Sequence, residues 1–151
     1  MSAFPTAPPL QATSGVRGPR AGFFRRFAAL VVDGIILLVV TAVVESATGR
    51  EGVLLSLAIA IIYFGYLEGS ASGQTIGKRA LGIRVVDSAT GGPIGFGRAV
   101  VRYFGRWISA IPFLLGFFWM LWDRERQTWH DKFAQDVVVP VSAYPVAHWP
   151  N

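Results

Sequence analysis

The run FAALVVDGIILLVVTAVV at 27–44 holds eighteen residues and a single charge, Asp33. At 1.5 Å per residue a helix of that length covers about 27 Å, close to the hydrocarbon thickness of a bilayer, so the run predicts a transmembrane helix. The polar turn ESATGREG separates it from a second apolar stretch, VLLSLAIAIIYFGYL at 53–67. Fifteen residues are short for a span, but Tyr63, Tyr66 and Glu68 carry this helix into the interface. A third stretch, WISAIPFLLGFFWMLW at 107–122, contains Pro112 and Gly116, which favour a kink or a re-entrant turn over a straight rod.

Composition points the same way, since the chain is 52% hydrophobic and only 15% charged over 151 residues, less charge than a soluble domain usually carries. Its net charge of +5 calls for an anionic partner, either nucleic acid or anionic lipid. The five tryptophans, at 107, 119, 122, 129 and 149, flank apolar segments as an aromatic belt would, which favours lipid and argues against nucleic acid. Arg98, Arg102 and Arg106 recur every four residues on one helical face, the pattern of a cationic amphipathic helix lying along headgroups, with Lys78 and Arg79 as further headgroup ligands. The absence of cysteine excludes disulfides and thiolate metal sites.

Thirteen of the fourteen Lys and Arg residues lie outside the 45–52 loop, which holds only Arg50. By the positive-inside rule the N-terminal arm and residues 69–106 are cytoplasmic, and the first two helices form a hairpin facing outward. The basic segment DRERQTWHDK would be sent outside by a simple third crossing, so either residues 107–122 re-enter or the rule fails for the last helix; re-entry is the preferred reading. It also places IRVVD at 83–87 and DVVVPV at 136–141 on one side, where they can pair as a small cytoplasmic two-strand element. Residues 1–21, with Pro5, Pro8, Pro9 and Pro19, read as a disordered arm rather than a signal peptide; 22–139 form the membrane domain and 140–151 a tail. The predicted class is thus an all-α membrane protein: a transmembrane hairpin, an amphipathic interfacial helix, a kinked or re-entrant third helix and the strand pair.

Candidate chemistry is sparse. Gly77-Lys78 lacks the P-loop context, because Ser72 stands where the first glycine belongs and Arg79 replaces the metal-binding hydroxyl. A carboxylate near the centre of a membrane helix costs about 2.5–3.5 kcal/mol, so Asp33 requires either a function or a partner, with Arg25, Arg26 or a cation of another helix as candidates. Glu68, Asp123 and the His130-Asp131 pair are further candidates, each explicable as a solvated interfacial group. With two histidines no metal site is expected, no cofactor is implied, and no nucleophile stands at a spacing that suggests its base.

Four ordered segments, FFRRFAALVVDG, SGQTIGKRALGIRVVD, RAVVRYFGRW and WDRERQTWHDKFAQDVVV, together resemble the RDD family of small bacterial and archaeal membrane proteins, over about residues 22–139. The resemblance implies that Arg26, Asp33 and Asp131 are the family arginine and aspartates, with Asp123 the alternative for the last. Gln135-Asp136 departs from the usual glycine-threonine before the final strand. The family is mostly uncharacterised, and transport or sodium–proton antiport has been proposed for some members. Two functions are therefore carried forward. One is a non-catalytic accessory or assembly subunit of a larger, for example respiratory, membrane complex in a prokaryotic cell membrane. The other is a small cation/proton transporter using Asp33 and Arg26, which at this size would have to form a homo-oligomer or join other chains.

Overall fold

The computed structural model describes residues 15–112 and 114–149, so most of the predicted arm lies outside the described residues. Helix α1 (Phe23–Thr48) is followed by a tight 3-10 turn, Gly49–Glu51, and by α2 (Gly52–Gly69). The two helices lie side by side and antiparallel: Tyr63 reaches Asp33, and Leu37 packs against the cluster of Ala60, Phe64 and Tyr103. Every fourth residue of α2 (Gly52, Ser56, Ala60, Phe64 and Glu68) is buried, so its small residues are used for packing within the chain. Among the described residues, Phe23–Gly69 is the helical stretch long and apolar enough to cross a membrane.

A short helix α3 (Ile76–Ala80) leads into strand β1 (Ile83–Asp87), which pairs antiparallel with β2 (Asp136–Pro140), Val85 opposite Val138. The predicted strand pair is therefore present. A lone two-stranded ribbon is marginal in water. Here both faces are covered, one by Ala21, Ala29, Ile94 and Ala99, the other by Val16 and Tyr144. That coverage corrects the expectation of disorder for residues 15–21, and the tail is docked as well. Val16 and Ala21 donate backbone hydrogen bonds to Ser88 and Val138, Arg84 donates to the Pro145 carbonyl at 2.8 Å, and the Trp149 indole donates to Gln74 at 3.0 Å.

Helix α4 (Gly95–Ala110) joins the predicted amphipathic helix to the start of the third apolar stretch. Beyond it Leu114 adopts the left-handed conformation, φ 63°, and α5 (Leu115–Phe118) departs at a bend of 112°, with a 3-10 turn, Trp119–Leu121, after it. Helix α6 (Trp129–Ala134) starts at Thr128 and ends at Gln135, whose φ of 53° supplies the left-handed cap usually given by glycine. Amphipathicity in α4 is inverted relative to a water-soluble helix. Its buried face includes Ala99, Arg102, Tyr103, Gly105 and Ser109, while Val101, Phe104, Trp107 and Ile108 are about half exposed. The expected interfacial helix with its cations on headgroups is corrected accordingly: Arg102 is 2% exposed and points into the protein.

Candidate functional site

The chain leaving α2 returns to α1 through SGQTIGK and closes around Asp33. Its carboxylate accepts from the Tyr63 hydroxyl at 2.7 Å and the Gly77 N–H at 2.8 Å on Oδ1, and from the Thr75 hydroxyl at 2.6 Å on Oδ2. Thr75 is also the N-cap of α3, its oxygen accepting from the Lys78 N–H at 3.2 Å. Gly77 sits directly on the Ala29 carbonyl, and a Cβ there would come within 2.9 Å of the Asp33 carboxylate. Only glycine lets the loop approach α1 this closely, while Gly73, φ 62° and packed on the Val85 carbonyl, makes the preceding turn. The cations proposed for Asp33 go elsewhere, since Arg25 is exposed and Arg26 reaches across to α6.

Beside this loop lies a second centre in which the charges meet one another. Arg102 binds Asp131 and Asp136 through Nη1, and its Nε stands 3.1 Å from Glu68. Glu68 also receives Lys78 and Arg106, and Asp131 also receives Arg26. One fully buried guanidinium therefore ties α2, α4, α6 and β2 together. Asp131 additionally closes a capping box: its carboxylate accepts the Thr128 N–H at 2.8 Å, and its own N–H donates to the Thr128 hydroxyl.

The network sets the protonation of the groups on α6 and β2. Burial alone would raise the Asp131 pKa, but Arg102 and Arg26 overcome it and hold the carboxyl well below the usual range. Asp136 shares Arg102 with Asp131; burial and the neighbouring carboxylate push it up to about 7. Burial holds His130 well below its ordinary value, with Arg102, Arg106 and Arg26 adding to the effect, so the ring is neutral. The Ser109 hydroxyl donates to the Gly105 carbonyl, leaving its oxygen to accept from Nδ1–H at 3.3 Å, and Nε2 accepts from Thr128 at 2.9 Å.

Of the sequence candidates, Arg26, Asp131, Glu68 and His130 thus meet in one centre, while Asp33 is held apart by neutral donors. Asp123 instead caps the turn before α6, accepting from the Gln127 N–H at 3.0 Å and from Lys132 at 2.5 Å. Among the cations assigned to headgroups, Lys78, Arg102 and Arg106 are turned onto Glu68. Arg98 binds Asp87 and the Ala134 carbonyl, and Arg79 is exposed with its guanidinium over Trp149. The sequence assigns no site role to Tyr63, Thr75, Thr128 and Asp136, although Tyr63 was expected at the interface. The Thr128-x-x-Asp131 spacing is a capping signal present in the sequence; the others carry no comparable pattern.

A cavity of about 120 Å³ opens between the two centres. Its wall is mostly apolar, with Phe27, Phe64 and Phe118 beside Asp33, Arg26 and Arg106.

Residues 20–135 match the RDD family. The chain is similar to the "Proline-rich antigen" of Mycobacterium leprae, 40% identical over 58% of this chain and 35% of that protein. It is likewise similar to the "Proline-rich antigen homolog" of Mycobacterium tuberculosis, 45% identical over 56% of this chain and 35% of the relative. The chain thus spans about a third of the length of these mycobacterial relatives. The "Uncharacterized protein YxaI" of Bacillus subtilis is 29% identical over 79% of this chain and 96% of its own length. No solved structure matches the chain.

Proposed function

The chain belongs to the RDD family of membrane proteins, and from that premise we propose that it is a non-catalytic accessory or assembly subunit embedded in a larger membrane complex. The observation that carries this reading is the inverted α4, with guanidinium groups inside and Val101, Phe104, Trp107 and Ile108 outside. An outer face of this kind is stable against lipid or another apolar helix and unfavourable against water. Leu38, Val43, Leu54 and Ile62, each at least 60% exposed, extend the same surface along the hairpin. In this reading α1 and α2 both cross the prokaryotic cell membrane, and the arm, the β-ribbon and the tail lie on the cytoplasmic side.

Cation/proton transport at an Asp33–Arg26 pair is the competing reading, and the geometry weighs against it. Both oxygens of Asp33 are engaged by donors of the same chain, and Arg26 is bound to Asp131. Extraction of the full chain in a mild detergent followed by native gels tests the proposal. Co-migration with a stoichiometric larger partner is expected, and migration only as a small homo-oligomer would sink it. Proteoliposomes add a second check: sodium flux driven by a pH gradient and abolished in Asp33→Asn would establish the transport reading instead.

A further inference from the structure

The cavity between the two centres has a wall whose polar groups are engaged elsewhere. Arg26 binds Asp131, and Lys78, Arg102 and Arg106 converge on Glu68, neither carboxylate being part of the wall. Asp33 does reach the wall, but Tyr63, Gly77 and Thr75 occupy both of its oxygens. Both ring nitrogens of His130 are taken by Ser109 and Thr128. What these residues leave to the cavity is mostly carbon, the stems of the cations beside Phe27, Leu30 and Phe64. An apolar cavity of roughly 150 Å³ stays dry and takes up benzene. At about 120 Å³ this one has room for a slender apolar group, which supplies the packing contacts that a void denies its lining.

Position selects among apolar groups. Phe27, Leu114 and Phe118 belong to the wall and are also 54%, 48% and 38% exposed, so the cavity reaches the surface between α1 and α5. Val31 and Leu38 continue that apolar surface along the same face of α1. From Phe23 to Asp33 the wall follows α1 through a rise of about 15 Å, half of the roughly 30 Å of hydrocarbon in a bilayer. A slot of that depth, entered from the apolar outer surface, matches a hydrocarbon chain of one leaflet.

We propose that the cavity takes up an acyl chain of a membrane phospholipid, inserted between Phe27 and Phe118 and ending against Phe64. The proposal rests on the reading that the hairpin lies in a membrane. Recognition is by hydrocarbon alone, with the headgroup left at the bilayer surface, so the charge of the headgroup is immaterial. The chain packs α5 onto α1 where Phe118 stacks on Phe23 at 5.5 Å, and it keeps water from the wall that contains Asp33.

Photolabelling of the full chain in nanodiscs of phosphatidylcholine with a diazirine on its acyl chain provides the test, with adducts located by peptide mass spectrometry. Phe64 is 5% exposed and lines the cavity; Ala60, one turn away on α2 and 8% exposed, does not line it. Adducts are expected at the outward Leu38 and Leu54, as on any membrane helix, and also at Phe64, but not at Ala60. Leu30→Trp, which places an indole in the slot, should lose the Phe64 adduct and keep the one at Leu38. Val31→Trp, beside the cavity but outside its wall, should keep both. Labelling of Leu38 without Phe64 in the wild type overturns the proposal whether or not the variants fold. So does a Phe64 adduct that is matched at Ala60, that survives Leu30→Trp or that is lost equally in Val31→Trp. Complete displacement of the Phe64 adduct by unlabelled free fatty acid would assign the cavity to a soluble hydrocarbon and overturn the phospholipid. Absence of adducts at Leu38 and Leu54 as well would refute the membrane reading, and the acyl chain with it, whereas their presence without Phe64 refutes the acyl chain alone.

Discussion

Asp33 and Asp131 are both buried carboxylates, 1% and 0% exposed, and they are held in opposite ways. Asp33 is surrounded by neutral donors, two hydroxyls and a backbone N–H, brought by a loop that fits because Gly77 has no side chain. Asp131 is surrounded by guanidinium groups from α1 and α4 and closes the cap of its own helix. The first arrangement fastens a loop to one helix and leaves the charge of the carboxylate uncompensated by an ion pair. The second fastens several elements together through charges that each require the others. Neutral donors therefore serve for local closure here, and ion pairs for long-range assembly.

The largest effect is expected at Arg102. Arg102→Met leaves Asp131, Asp136 and Glu68 short of a cation, and removing one partner from a buried ion network costs about 3–5 kcal/mol. Unfolding of the variant in mixed micelles should show a loss of that size, and a near-neutral result would mean that the network is not what joins the elements. Asp33→Asn should cost less, about 1–3 kcal/mol, because Asn keeps the shape but turns an NH₂ toward one of the donors now satisfied. A loss as large as that of Arg102→Met would erase the distinction between local and long-range roles.

Next comes a pH dependence. The folded pKa of Asp136, about 7, lies above the unfolded value near 4. Its contribution is therefore fully present below about pH 4 and is lost as pH rises towards 7. Asp136→Asn should remove this dependence, so the stability of the wild type relative to the variant should fall across that window. A constant difference would indicate that Asp136 does not share its site as described. The smallest effect is expected for Thr128→Ala, about 1 kcal/mol for a lost N-cap, with α6 as the first region to exchange its amide hydrogens.

The apolar runs and the strand pair were legible because each depends on a pattern local in sequence: unbroken apolar length for the helices, short β-branched runs such as IRVVD and DVVVP for the ribbon. Periodicity also placed Arg98, Arg102 and Arg106 on one face of α4. What it does not encode is which side of a helix is wet, so the direction of that face came out reversed. The two remaining misses have different causes. Arg26 stood among the candidate partners of Asp33 because the two are close along one helix, whereas its partner Asp131 is 105 residues away. The roles of Tyr63, Thr75 and the Gly77 N–H at Asp33 were not legible because neutral donors are ordinary residues until the fold aims them at a carboxylate.

The reach of Arg102 also fixes an order of events during synthesis. Its partners Asp131 and Asp136 lie 29 and 34 residues downstream, beyond the α4–α5 bend. When α4 leaves the ribosome, Glu68 is the one carboxylate of this trio already made, and an arginine helix that lacks its counter-charges is poorly suited to the hydrocarbon. The charge network that joins α2, α4 and α6 can therefore close only after Asp136 has been made, so that β2 completes what the arginine of α4 begins.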